Sequence, residues 1–518
     1  MAVFNRIFFV FLCVSTITAC NDNQQPKVDT LITKGKVFTG SSTQAQALDV
    51  AICGNMICGL YPTGQHDVTA KTVVDASNKV VSPGFIDPHT HTLDELYSQD
   101  KNHNLNYLTQ GVTTVVNGND GEGFFDIAKT ARELEANGIG TNVALFVGHG
   151  SIREQVMGRA QRFATAKELQ QMSNLLEQAM KDGALGLSTG LYYVPGSFAN
   201  TEEVITLAKI ASQYQGIYDT HLRDESTFNI GLISALDEAI NIAEKADIHL
   251  HLAHIKALGV DVWGQSKAAI SMIEQAQARG VGISADQYPW LASGTKLHSA
   301  VMPKWVMADS RQAFHQRLSD KNLTERLRFE INENIRRRGG DSSLLITAFK
   351  DSKLVGLTLA EVAELRKSDA VTTAIQLVKE GEVRVASFNM SPNDVEAFMT
   401  KPWVVTSSDG TNGHPRKFAS FPKKYQKYVT EKGLLSLAEF INQSSSQTAK
   451  LLGLSNRGQL TVGYQADIIV FDANKYKANA DFSTWNKYSS GIEQVWLNGH
   501  RVIQDGIFQH KLEGQFVR

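Results

Sequence analysis

Ser82-Pro83-Gly84-Phe85-Ile86-Asp87-Pro88-His89-Thr90-His91 decides how the rest of the chain is read. A short apolar run leads into two histidines one residue apart. Strand side chains alternate with a period of two, so both imidazoles leave the backbone on one side and can reach the same ion. Such a pair alone fits two polar residues at a strand end equally well; the sequence further along tells the two apart. Thr220-His221, Ala253-His254 and Ser408-Asp409 each close a short apolar or β-branched run. Imidazoles and carboxylates at several strand ends suit zinc or a related divalent ion with an open coordination position.

Working outward, strand-like runs at 84–87, 112–116, 143–147, 183–187, 216–220, 248–253, 281–286 and 404–407 alternate with helix-like stretches. Segments such as 201–213 and 230–246 carry apolar residues at helical spacing. This alternation predicts an α/β fold of parallel strands with crossover helices, a (β/α)8 TIM-type barrel over 83–457. Barrel enzymes act at the C-terminal ends of their strands, where every candidate ligand falls. The gap between Pro289 and Trp403 is too long for one crossover and carries charged, helical stretches near 323–338 and 359–366. It is read as a lid over the barrel mouth, inserted at about 296–400. Residues 28–82 and 458–518 alternate β-type runs with Gly and Asn turns, Asn498-Gly499 being a strong hairpin signal. Two such segments most economically complete one small β-sandwich built from both chain termini.

At 518 residues the chain exceeds the usual single core, and with 42% hydrophobic and 20% charged residues its composition is that of a globular protein. A formal net charge of −2 leaves no electrostatic footprint for nucleic acid. Arg6 precedes an apolar run over 7–14 that is too short to span a bilayer and reads as an export signal. It ends Ile17-Thr18-Ala19-Cys20, which resembles a bacterial lipoprotein cleavage box. On that resemblance residues 1–20 are a signal, Cys20 is lipidated, and the mature protein is membrane-anchored and faces the periplasm. Of the four cysteines, Cys53 and Cys58 remain. With Gly54-Asn55 as a two-residue turn, Cys53 faces Met56 and meets Cys58 only diagonally, roughly 7 to 8 Å away, which predicts free thiols.

Several stretches together carry a family resemblance: Pro83 through His91, Gly111-Val112-Thr113-Thr114-Val115-Val116, Gly183-Ala184-Leu185-Gly186-Leu187-Ser188-Thr189-Gly190-Leu191, Thr220-His221-Leu222-Arg223-Asp224-Glu225, His254-Ile255-Lys256, Ser408-Asp409-Gly410, and His414-Pro415-Arg416 leading to Phe421-Pro422. The chain resembles the N-acyl-D-amino-acid deacylases (D-aminoacylases) of the amidohydrolase superfamily across nearly its whole mature length. The resemblance implies that His221 and His254 hold a tightly bound metal while His89, His91 and Asp409 surround a second, weaker position. Where the family commonly has Asn-Cys-Gly, this chain has Asn119-Asp120-Gly121. A carboxylate is harder than a thiolate, so zinc remains the leading expectation with manganese, cobalt or iron open beside it.

The same resemblance makes Asp409 the general base and acid, contributing on the order of 10² to 10⁴ in rate. It places Lys256 and Tyr288 on the substrate carboxylate, with Ser293 as a third contact and Arg416 or Arg153 as contributors. The implied substrate is an N-acylated D-amino acid, cleaved to a carboxylate and the free amino acid. Two readings stand beside it: a related amidohydrolase acting on D-residue dipeptides or cyclic amides and ureides, and a lipoprotein that binds metal or ligand without turnover. Among the other histidines, His249 and His251 are expected to face away from the core or pack on a helix, and His149 to sit at a strand end behind the site.

Overall fold

The run Val112–Asn117 is buried along its whole length, as a strand with both faces covered by other layers must be. In the computed structural model, which describes residues 27–518, it is the centre of a three-stranded parallel sheet between Phe85–Asp87 and Asn142–Leu145. A six-stranded parallel sheet follows in the order Val147–Gly148, Gly186–Gly190, Ile217–His221, His249–Leu252, Ile283–Gln287, Val404–Thr406. Backbone contacts link residues beside the two sheets. Phe146 N donates to Asn117 O at 2.8 Å and Leu185 N to Leu145 O at 2.8 Å, while a parallel bridge joins Thr90 to Gly410. The proposed signal and Cys20 lie outside the described residues.

Helices pack between these strands as the apolar periodicity predicts. Leu232–Ala246 buries Leu232, Ala235, Leu236, Ala239, Ile240 and Ala243 on one side, the spacing of a single helical face. Ala166–Lys181 starts at a reciprocal cap in which Thr165 and Glu168 satisfy each other's backbone N–H groups.

Both chain ends contribute to one ten-stranded sheet. Ile468–Phe471 pairs antiparallel with Val80–Pro83, and Ile32, Val50, Ile52 and Val81 share a core with Ile468, Val470 and Trp496. Asn498-Gly499 turns the hairpin between Ile492–Leu497 and His500–Gln504. Residues 292–388 carry an antiparallel sheet of three strands, Ala292–Lys296, Arg384–Phe388 and Leu344–Ala348. Helices Thr324–Arg337 and Leu359–Leu365 pack on that sheet around a separate apolar cluster.

One expectation fails in the first hairpin. Gly54-Asn55 does turn it and Cys53 does face Met56, but the register shifts so that Ile52 pairs with Ile57 and Ala51 with Gly59. Cys58 is the extra residue of this bulge. A bulge bends its strand and re-aims side chains, and here it brings the Cα atoms of Cys53 and Cys58 to 5.7 Å, with the sulfurs joined in a disulfide. The expectation of free thiols assumed an unbroken register, and that assumption is wrong.

Candidate metal centre

Each candidate ligand follows a parallel strand at its C-terminal end. His89 and His91 come just after Phe85–Asp87, His221 is the last residue of Ile217–His221, His254 lies two residues past His249–Leu252, and Asp409 three past Val404–Thr406. Asp120 follows Val112–Asn117 on a turn pressed against its neighbours. Gly118, at φ +89°, runs so close to the next strand that a Cβ there would sit 2.2 Å from Phe146 O; only glycine fits. Asp120, His254 and Asp409 themselves have positive φ, at 59°, 36° and 46°. Backbone strain of this kind persists where surrounding structure enforces it and gathers at functional sites.

These residues converge. The ring centroids of His89 and His254 are 4.8 Å apart, those of His221 and His254 4.6 Å, and those of His89 and His91 5.4 Å. Ligand atoms of His89, His91, Asp120 and Asp409 all fall within 4.8 Å of one another, as do those of His221, Glu225 and His254. Asp120 stands between the two groups: its Oδ1 is 3.5 Å from His89 Nε2 and 3.2 Å from His254 Nε2, and its Oδ2 is 3.5 Å from His91 Nε2. His89 Nε2 and Asp120 Oδ1 are buried with no hydrogen-bond partner. An unmet donor or acceptor costs about 1–3 kcal/mol when buried, so their convergence suits an ion between them. The donor set is imidazole nitrogen and carboxylate oxygen, without sulfur, which fits zinc, manganese, cobalt or iron.

The electrostatics agree. Burial would lower His89, but the carboxylates of Asp120 and Asp286 hold it well above the ordinary imidazole value; positive charge is favoured at this point. Burial pushes His221 down to about 4, leaving the neutral imidazole a metal requires. Its Nδ1 is 3.0 Å from Leu222 O, a contact that as an N–H donor leaves Nε2 free to ligate. Burial would raise Asp409, yet Arg416, whose Nη1 lies 2.8 Å from Oδ2, and then His254 keep its carboxyl well below the usual range.

Lys256 Nζ lies 2.7 Å from Glu225 Oε1 and 2.6 Å from His254 Nδ1, and Arg416 lies over the Tyr288 ring at 4.8 Å. The Tyr288 hydroxyl is buried and unpartnered. Ser293, Lys256 and Arg416 line a small inner pocket together with His221, His254 and Asp409. It adjoins an outer cavity of about 750 Å³ bounded by His91, Asp120 and Asp409 on one side and Lys296, Lys304, Phe314 and Arg384 on the other.

Arg153 takes no part in either pocket. It is fully buried and held by Glu203 at 2.7 Å, with His149 at 2.8 Å on the same carboxylate. His251 also departs from expectation. It does not face away from the core but is buried beneath the site, its Nε2 3.0 Å from Asp286 Oδ2, and Asp286 in turn is 3.6 Å from His89 Nδ1. The run His249-Leu250-His251-Leu252 looked amphipathic, but in a parallel sheet both faces are interior, so polarity does not indicate the outward side. Glu225 was not anticipated; its place four residues after His221 was the available signal.

The signature of the amidohydrolase family runs over residues 72–503, and the chain belongs to that family. Within the family it falls among the N-acyl-D-amino-acid deacylases: the D-aminoacylase of Alcaligenes xylosoxydans xylosoxydans is 31% identical, over 94% of this chain and 97% of that protein. A D-aminoacylase structure solved to define the role of its binuclear metal center is similar with a TM-score of 0.81 and 28% identity, covering 94% of this chain and 99% of that one. The N-acyl-D-glutamate deacylase of Bordetella bronchiseptica, bound to zinc and a phosphonate mimic of the tetrahedral intermediate, gives a TM-score of 0.81 at 27% identity over 95% and 100% of the two chains.

Proposed function

We propose that this protein is a metal-dependent deacylase that hydrolyses the amide bond of N-acyl-D-amino acids. The observation that carries it is the meeting of two ligand groups at Asp120, on the wall of the outer cavity, next to an inner pocket lined by Arg416 and Lys256. His221, His254 and Asp120 would hold one ion, with Glu225 beside them, and His89, His91, Asp120 and Asp409 a second, zinc being the leading candidate. A divalent ion held there supplies acidity to water and polarisation to a carbonyl oxygen. Asp409, with Oδ2 held by Arg416 and Oδ1 turned to the imidazoles, takes the proton of the attacking water. It then returns that proton to the amide nitrogen as the C–N bond breaks. Lys256, Tyr288, Ser293 and Arg416 orient the substrate carboxylate.

The parallel segments, two of them separated by Phe146 alone, count as eight strands, and the edge contacts Leu185 to Leu145 and Thr90 to Gly410 support one closed (β/α)8 barrel. The ten-stranded sheet is the proposed sandwich and residues 296–400 the proposed lid. The Cys53–Cys58 disulfide suits an oxidising compartment, which supports export, while the lipid anchor at Cys20 rests on the resemblance of Ile17-Thr18-Ala19-Cys20 to a lipoprotein cleavage box. Among the described residues no helix is long and apolar enough to cross a membrane.

The test is a chiral panel. Metal-stripped protein, reloaded separately with zinc, manganese and cobalt, is assayed on paired N-acetyl-D- and N-acetyl-L-amino acids, D-residue dipeptides and cyclic amides. Release of free D-amino acid with little from the L series is expected. Equal rates on both enantiomers, or turnover confined to dipeptides or cyclic amides, would remove the deacylase reading.

A further inference from the structure

Arg338, contributed by the inserted segment, is 2% exposed and lines the same inner pocket as His221, His254 and Asp409. Its partners are neutral. Nε donates to Ala300 O at 2.9 Å and Nη2 to the Tyr192 hydroxyl at 3.3 Å. With the Asn389 amide turned to satisfy both its ends, Nη1 donates to that oxygen at 3.2 Å. Lys304 sits beside it, Nζ 3.4 Å from the centroid of the Tyr192 ring and donating to Ser299 O at 3.4 Å. Among the described residues neither cation makes an ion pair, whereas Lys256 is matched by Glu225 and Arg416 by Asp409. Asp224, whose charge reaches Lys304, spends its oxygens on the backbone N–H groups of Ser226, Asn229 and Gly231.

A buried guanidinium is expensive unless it faces an anion, and neutral oxygens answer its hydrogen bonds without answering its charge. Tyr192 ties this charge to the chemistry. Its ring stacks on His221 at 5.6 Å with 14° between planes, so the two cations lie about one aromatic ring from a candidate metal ligand. An amino-acid substrate whose α-carboxylate lies at Lys256 and Arg416 has only its side chain or its acyl group left to fill that space. The acyl group has the outer cavity of about 750 Å³ open to it.

We infer that Arg338 and Lys304 form a second anion subsite that receives the side-chain carboxylate of the substrate, so that the preferred substrates are N-acyl derivatives of acidic D-amino acids. This rests on the deacylase reading and specifies its substrate class. Arg338 takes a carboxylate in the plane of its fork, and Lys304 adds a point charge from the rim. A neutral amide of the same shape presents an NH₂ group to these donors and leaves them unanswered.

The experiment compares kcat/KM for N-acetyl-D-Glu against N-acetyl-D-Gln, and N-acetyl-D-Asp against N-acetyl-D-Asn, in wild type and in Arg338→Met and Lys304→Met. Wild type is expected to prefer at least one acid over its isosteric amide by about 30-fold or more, the scale of an unanswered buried charge partner. Each substitution is expected to reduce that ratio by about tenfold or more. Lys304 is only half-buried, so its variant keeps the test alive if Arg338→Met fails to fold. A wild-type ratio near one for both pairs, with clear turnover, overturns the inference and leaves the deacylase reading intact. A high ratio that both variants preserve overturns the assignment to these residues. No release of amino acid from any N-acetyl-D-amino acid sinks the deacylase reading and the inference with it.

Discussion

At the scale of single residues, the centre separates holding an ion from moving a proton. Asp409 carries the Arg416 guanidinium on one oxygen and the imidazoles of His89 and His91 on the other. Replacing it with Asn keeps the shape and removes the proton acceptor. Asp409→Asn is expected to lower kcat by about 10² to 10⁴, while metal analysis of the purified variant still finds the ion held by His221 and His254. Loss of metal in parallel with activity would instead make Asp409 chiefly a ligand. The histidines and Asp409 were legible because each closes an apolar run, a local pattern. Glu225 was half-legible, lying inside a motif but hidden by the more conspicuous His221. Arg338 was not legible at all: more than eighty residues separate it from His254, and only the folded insertion carries it to the pocket.

At the scale of elements, the parallel strands emerge within a few residues of the runs read from the sequence because burial on both faces favours short, largely apolar or β-branched stretches. Register is a different matter, since a one-residue bulge leaves composition unchanged, and the first hairpin shows the consequence at Cys53 and Cys58. Closing so short a loop restricts the unfolded chain modestly. Cys58→Ser is expected to cost about 2 kcal/mol in urea unfolding on the chain-entropy account, and mass analysis of unreduced peptides should find the two cysteines linked; a free-thiol signal in unfolded, unreduced protein would refute the bond. A sharper dependence is expected at the helix His149–Met157, tied to Thr201–Gln213 by the fully buried Arg153 and Glu203. Glu203→Leu strands the guanidinium and should cost about 3–5 kcal/mol, whereas the pair Arg153→Met with Glu203→Leu should recover most of it. A double variant no more stable than the single would mean that the pair, rather than the stranded charge, sets the stability.

At the scale of the whole molecule, the ligands span more than three hundred positions, and the chain can gather them only when the parallel strands are laid side by side. Metal binding and folding are therefore linked. A ligand that binds the folded state alone stabilises it by RT ln(1 + [L]/Kd), about 4 kcal/mol when free metal is a thousand times Kd. Chelation followed by calorimetry should lower Tm by several degrees, and stoichiometric zinc, manganese or cobalt should restore it. Asp120→Ala provides the control, because it removes the one side chain that faces both ligand groups. If the ions meet at Asp120, that variant binds less metal and its Tm responds weakly to chelation. Should it keep the full metal content and the full chelation shift, the ions lie elsewhere and the convergence of His89, His91, His221 and His254 has a different purpose. The sheet built from both chain ends provides an internal reference: it contributes none of these ligands, so amide exchange in Lys27–Thr33 and Ile468–Phe471 should change less on metal removal than exchange in Val112–Asn117 and Ile217–His221, whose C-terminal ends lead to the ions.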